Sequence, residues 1–202
     1  MDVALDFNQV VREYEERIVR YLSSLLGDGA LAQDLTQETF LRVHKGLDRL
    51  RSPEARTAWI YRIASNLALD HLRSRACRQE RHTVPLEPET ELLHEGGEAA
   101  LPSEELSAEG RLEQEEMAAR LRNYVHDLPG TLRACLILRD LEGLGEKTVA
   151  EVLDCSVGAV KVRTHRARKK LREALRTGCR FYGDERGTLR CEPSNAREEG
   201  RG

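Results

Sequence analysis

LEGLGEKTVAEVLDCSVGAVKVRTHRARKKLREAL, running from Leu141 to Leu175, is the stretch whose reading decides the fold. Gly143-Leu144-Gly145 opens a short helix, Glu146 to Leu153, with Val149, Ala150 and Leu153 on one face. Asp154-Cys155 makes a tight turn, and Ser156 is placed to cap a second helix that turns Val160, Ala167, Leu171 and Leu175 inward. Two helices joined by so short a turn have the form of a helix-turn-helix. The outward face of the second helix holds Lys161, Arg163, His165, Arg166, Arg168, Lys169 and Lys170. A solvated charged face usually balances its signs, but Ser156 to Arg172 has seven Arg or Lys and no acid. Such a helix suits the major groove, its first residues on base edges and its later bases on phosphates.

Moving outward toward the N-terminus, apolar residues at Phe7, Val10, Val11, Tyr14, Ile18, Tyr21, Leu22 and Leu25 follow the spacing of one buried helix face. Gly27-Asp28-Gly29 breaks that helix, and a second follows with Leu31, Leu35, Phe40, Val43 and Leu47 inward. Ser52-Pro53 reads as a cap and first helical residue for a long third helix, marked by Trp59, Ile60, Ile63, Ala64, Leu67, Ala68 and Leu72. It ends in a basic tail, Arg73, Arg75, Arg78 and Arg81. Periodicity then fails: Pro85, Pro88, Gly96, Gly97 and Pro102 stand among glutamates, the composition of a flexible linker. Helical spacing resumes with Leu112, Met117, Leu121, Val125 and Leu128, stops at Pro129-Gly130, and continues through Leu132, Leu136, Ile137 and Leu141. The expected fold is all-α: two small helical domains joined by a flexible acidic linker, the second a helix-turn-helix. The boundaries fall at 1–82, 83–110, 111–176 and a tail over 177–202.

The net charge of −3 looks wrong for a nucleic-acid binder until it is resolved along the chain. Arg49 to His82 carries eight bases against three acids, whereas Thr83 to Glu116 carries eleven acids and Arg111 alone. Because salt screens charge beyond roughly 10 Å, two basic surfaces separated by an acidic connector act locally. With 40% hydrophobic, 33% charged and 4% aromatic residues, the chain has a helix-rich, ion-paired profile. It has no run of about 18 apolar residues and no signal-like N-terminus, so neither membrane insertion nor export is expected. The five cysteines, odd in number and scattered, argue for free thiols in a reducing cytoplasm.

In its segments Gly143-Leu144, Val149 to Leu153, Ser156 to Lys161 and His165 to Leu171, the helix-turn-helix closely resembles the domain that reads the promoter −35 element in bacterial extracytoplasmic-function sigma factors. Asp34-Leu35-Thr36-Gln37-Glu38-Thr39-Phe40-Leu41-Arg42-Val43 is similar to that family's helix for the clamp of core RNA polymerase. Ala58 to Arg73 resembles its helix that opens the −10 element. The resemblance covers about residues 7–82 and 112–176, in order, with a linker between them.

It implies a polymerase contact at Asp34, Gln37, Glu38, Leu41 and Arg42, where the plain alternative is a polar helix face. It implies −10 contacts at Trp59, Arg62, Asn66 and Arg73, capture of an unpaired base there needing no chemical step. Trp59 is by spacing equally a core residue, and Asp70 is placed to orient Arg73 or Arg62. For the −35 element it implies Lys161, Val162 and His165 near bases and Arg163, Arg166 and Arg168 on phosphates, with Ser156 also among the DNA-binding residues. His165 has no second metal ligand at helical spacing. Gly145-Glu146-Lys147 departs from the family's Ser-, Tyr- and Glu-rich pattern, so the first helix of the motif is expected to start less firmly. Cys155 and Cys135 read as small buried hydrophobes.

Beyond the family's minimum, Cys179 and Cys191 flank an Asp-Glu-Arg-Gly turn. A hairpin there is expected to bring the sulfurs together for a thiophilic metal, with help from Cys77 or His82, or for a regulatory disulfide; an idle tail is the alternative. No other cofactor is expected. The partners implied are core RNA polymerase, promoter DNA and an anti-sigma protein. A stand-alone helix-turn-helix regulator explains the C-terminal half but leaves Asp34 to Asp70 without a purpose. An enzyme lacks any supporting constellation: no nucleophile elbow, phosphate loop or paired-His zinc motif occurs.

Overall fold

Helix α1, Phe7–Leu26, starts at Asp6, whose side chain accepts from the Asn8 N–H at 3.0 Å, and ends at Gly27 in the left-handed region, φ 72°. A Cβ at Gly27 would stand 2.9 Å from the His126 ring, so glycine is required there for both backbone and space. The face of α1 expected from its spacing is the one that is buried, from Val10 through Leu25. The structure is a computed structural model that describes residues 6–47, 53–79, 118–183 and 189–193. The acidic segment 83–110 lies outside the described residues, as do Ser52, Leu112 and Met117.

Helix α2, Gly29–Gly46, is capped by Asp28, which accepts from the Leu31 N–H at 3.1 Å. Its buried stripe is Ala32, Thr36, Thr39, Phe40 and Val43, while Leu31, Leu35 and Leu47 pack at the margin. The expected stripe was thus turned slightly too far toward the leucines. The threonines tolerate burial because Thr36 Oγ1 and Thr39 Oγ1 donate to the carbonyls of Ala32 and Leu35, both at 2.7 Å.

Helix α3, Pro53–Gln79, buries Ile60, Ala64 and Ala68 as expected, but also Ala58, Tyr61 and Ser65. Its buried face is broad because α1 and α2 cover one side and later helices cover another. Tyr21 Oη and Ser65 Oγ meet at 2.7 Å in the buried centre, and the Tyr21 and Tyr61 rings pack edge to face at 5.3 Å.

After a helix α4 over 118–126, helix α5, Gly130–Leu136, runs into a π turn, Ile137–Leu141, in which the Glu142 N–H bonds the Ile137 carbonyl at 2.9 Å. The extra residue breaks the 3.6 period, so Leu138 is buried and Leu141, expected inward, is 63% exposed. Helix α6, Glu146–Val152, and helix α7, Val157–Gly178, complete the helical set. Ile137, Leu138, Leu144, Val149, Val152 and Val160 join the residues of α1–α3 in one continuous apolar core. A second cluster under α7 gathers Leu128, Leu136 and Ala167.

The buried Arg133 ties these parts together. It donates to the carbonyls of Leu25 at 2.7 Å, Leu128 at 3.0 Å and His126, joining the end of α1 to the α4–α5 turn. To the helical class the structure adds a two-stranded antiparallel ribbon, β1, Cys179–Gly183, and β2, Leu189–Pro193.

Candidate nucleic-acid and polymerase interface

The helix-turn-helix is built as its sequence specifies. Asp154, at φ 48°, turns the chain after α6, and Ser156 Oγ accepts from the Ala159 N–H at 3.1 Å, capping α7. Gly145 precedes α6 with no side-chain cap, in line with the weaker start expected there. Val160, Thr164 and Ala167 face inward, so Lys161, His165, Arg168, Lys169 and Lys170 are exposed along one side. Ser156 is exposed, and Val162, Arg163 and Arg166 are half-buried beside that face. Among the described residues no cluster of three metal-ligating side chains surrounds His165 or any other position.

Several of these cations already have carboxylate partners, Lys169 among them, its Nζ 4.0 Å from Glu173. Lys161 Nζ lies 3.7 Å from Glu146, and Arg168 makes two contacts with Asp140, at 2.6 and 2.9 Å. Neither Glu146 nor Asp140 stood out in the sequence, because pairing across a turn depends on how the two helices cross.

On α2, Asp34, Gln37, Leu41 and Arg42 are exposed and Glu38 is half-buried, with Arg42 and Glu38 paired at 2.8 Å. Leu41 is 57% exposed, an apolar residue in the middle of a charged face.

On α3, Trp59 is half-buried and packs on the core, its ring over Gly46, where a Cβ would stand 2.7 Å from the indole. Asn66 is exposed. Arg73 pairs with Asp70 at 2.7 Å, so Asp70 is placed beside Arg73. Arg62 instead donates to the Glu151 carbonyl at 2.7 Å, near the end of α6.

Glu142 forms the other half of this seam. Its side chain is 2% exposed and takes the Tyr61 hydroxyl as a donor, with Arg20 at 3.4 Å and Arg17 at 3.9 Å. Burial raises the Tyr61 phenol well above its ordinary pKa of 10.0, and the bond to Glu142 raises it further. Sequence reasoning missed Tyr61 and Glu142 as partners, since 81 positions separate them and neither carries a local signal.

Cys135 is fully buried, and burial pushes its thiol up to about 12, as suits a small core hydrophobe. Cys155 is half-buried against the core. The tail ribbon pairs Cys179 with Pro193 and Cys191 with Phe181, so the two cysteines stand two register positions apart and are not direct partners. Their side chains lie outside the described residues, as do those of Cys77 and His82.

Residues 10–77 match sigma-70 region 2, and residues 111–171 match sigma-70 region 4. The RNA polymerase sigma-H factor of Pseudomonas aeruginosa is 34% identical over 169 residues, 84% of this chain and 86% of that protein. The extracytoplasmic-function RNA polymerase sigma-E factor of Escherichia coli strain K12 is 32% identical over 165 residues, 82% of this chain and 84% of the relative. In fold, the chain is similar to the sigma factor RpoE of Bartonella quintana, solved with the anti-sigma factor NepR, at a TM-score of 0.60 and 22% identity, covering 85% of this chain and 97% of that one. With both regions matched in order and such relatives covered over most of their length, the chain belongs to the sigma-70 family of RNA polymerase sigma factors, in its extracytoplasmic-function group.

Proposed function

We propose that this sigma factor reads a promoter with two surfaces held on one chain, and that the basic outer side of α7, set by the Ser156 cap, is the observation that carries the reading. Lys161, Val162 and His165 meet base edges of the −35 element, with Ser156 at the groove entrance and Arg163, Arg166 and Arg168 on phosphates. Asp34, Gln37, Glu38, Leu41 and Arg42 dock on core polymerase. Asn66, Arg62, Arg73 and Trp59 act on the −10 element. Units 1–82 and 111–176 divide this work, 83–110 is the tether, and 177–202 is an appended tail.

No covalent step is required, and the chain acts as a non-enzymatic initiation factor in the cytoplasm. No helix among the described residues is long and apolar enough to cross a membrane. An anti-sigma protein is a further partner, by analogy with the solved Bartonella quintana relative. In the tail, diagonal positions of a ribbon lie roughly 7–8 Å apart at Cα, wider than disulfides usually span. A thiophilic metal therefore suits Cys179 and Cys191 better than a disulfide, and the double Ser variant should lose any metal dependence of promoter activity. Two thiolates fill only part of a tetrahedral set.

In vitro transcription with purified core polymerase and a promoter library tests the main reading. Initiation should require both core and this chain, and Asp34→Ala with Leu41→Ala should abolish core binding. Absence of any transcript with core would return the chain to the class of stand-alone regulators.

A further inference from the structure

The geometry points to an anion-binding site on the N-terminal half, formed by Arg17 and Arg20 of α1 and Tyr61 of α3, which Glu142 occupies in the closed chain and a promoter backbone phosphate takes when the halves part. The site rests on the reading that α3 works on the −10 element.

The three donors converge on one carboxylate whose side chain is only 2% exposed. Two guanidinium groups and a phenol are the donor set that also holds a phosphate. The placement of Arg17 and Tyr61 does not rest on Glu142 alone. The Arg17 guanidinium stands over the rings of Tyr14, at 5.4 Å, and Tyr61, at 5.7 Å, and the Tyr61 ring is fixed against Tyr21, itself bonded to Ser65. All of these belong to α1 and α3. Withdrawal of Glu142 thus leaves Arg17 and Tyr61 in place with Arg20 beside them, a cationic donor set open to an incoming anion. Arg17 and Arg20, with side chains 34% and 57% exposed, are within reach of solvent and of a strand.

The neighbouring residue supports competition between closure and DNA. Arg62, proposed to contact the −10 element, is held at the Glu151 carbonyl in the same seam. Closure therefore occupies both Tyr61 and Arg62 with acceptors from the helix-turn-helix half. Glu142 serves as the stand-in for a phosphate.

The full-length chain and a short fluorescein-labelled single strand of mixed sequence supply the test, with small-angle scattering as a second readout. Glu142→Gln and Glu142→Ala should each enlarge the radius of gyration and tighten strand binding by about ten-fold, as expected for removal of a charged competitor. Arg17→Ala with Arg20→Ala on that background should erase the gain and flatten the log–log salt slope by about 0.7, the value for one phosphate on a single strand. An unchanged radius and affinity in both Glu142 variants, or a gain that survives loss of both arginines, overturns the site. If Arg62→Ala and Asn66→Ala leave strand binding unaltered while the arginine pair still matters, the −10 reading of α3 fails and the anion site stands.

Discussion

Arg168 on α7 grips Asp140 of the π turn with two nitrogens, Nε at 2.9 Å and Nη2 at 2.6 Å. The pair stands at the surface, its side chains 48% and 30% exposed. Exposed pairs are typically worth about 0.2–1 kcal/mol, so a groove phosphate can displace the carboxylate at modest cost. Asp140→Asn should therefore raise affinity for duplex DNA by at most about five-fold, equally for all sequences. A fluorescence-anisotropy titration against a matched and a scrambled −35 duplex measures it. A fall in affinity would mean that Asp140 orients Arg168 for DNA.

Ser156 holds the first turn of α7 through its bond to the Ala159 N–H. Ser156→Ala should cost about 1 kcal/mol of stability, read as a lower midpoint in urea with an unchanged slope. Ser156→Gly should cost only a few tenths of that scale, since glycine is itself a tolerated cap.

Cys135 lies in the core with its thiol pushed up to about 12 by burial. Since the thiolate is the reactive form, iodoacetamide at neutral pH should leave Cys135 unmodified in the native chain and label it only on unfolding. Peptide mapping by mass spectrometry follows both states. The half-buried Cys155 should react earlier.

His126 meets Arg133 at 3.1 Å, and its pKa lies below the ordinary value of 6.5, first through burial and then through the Arg133 charge. The folded chain disfavours the imidazolium, so the unfolded chain binds more protons and stability rises with pH through this window. The contribution is complete above 6.5 and is lost as pH falls toward the lowered native value. Tm should accordingly drop on acidification below pH 6.5, and His126→Asn should make that decline shallower. Differential scanning calorimetry across this range provides the check.

Local signals carried much of the architecture. The Ser156 cap, the Asp154 turn, the α1 face and the Gly27 break are fixed by neighbours a few residues away, so their spacing reveals them. Where reading failed, the cause lay elsewhere. Leu141 points outward because a π turn adds one residue to the period, and no side chain announces that turn. The α2 stripe centres on Ala32, Thr36 and Thr39 because close approach to α1 favours small residues, whereas a pattern of apolar bulk favours Leu31 and Leu35. The outward faces of α2 and α7 were legible as clusters of charge. The partners of α7, Asp140 and Glu146, were not, nor was Glu142 as the partner of Arg17, Arg20 and Tyr61, because each pairing depends on tertiary geometry.

The seating of Trp59 over Gly46 has an optical consequence. The chain contains a single tryptophan, and its indole sits against the last residue of α2, the helix whose outer face is offered to polymerase. Indole emission of the free chain therefore comes from one residue at one seam, and its wavelength registers movement of α2 against α3 without any label.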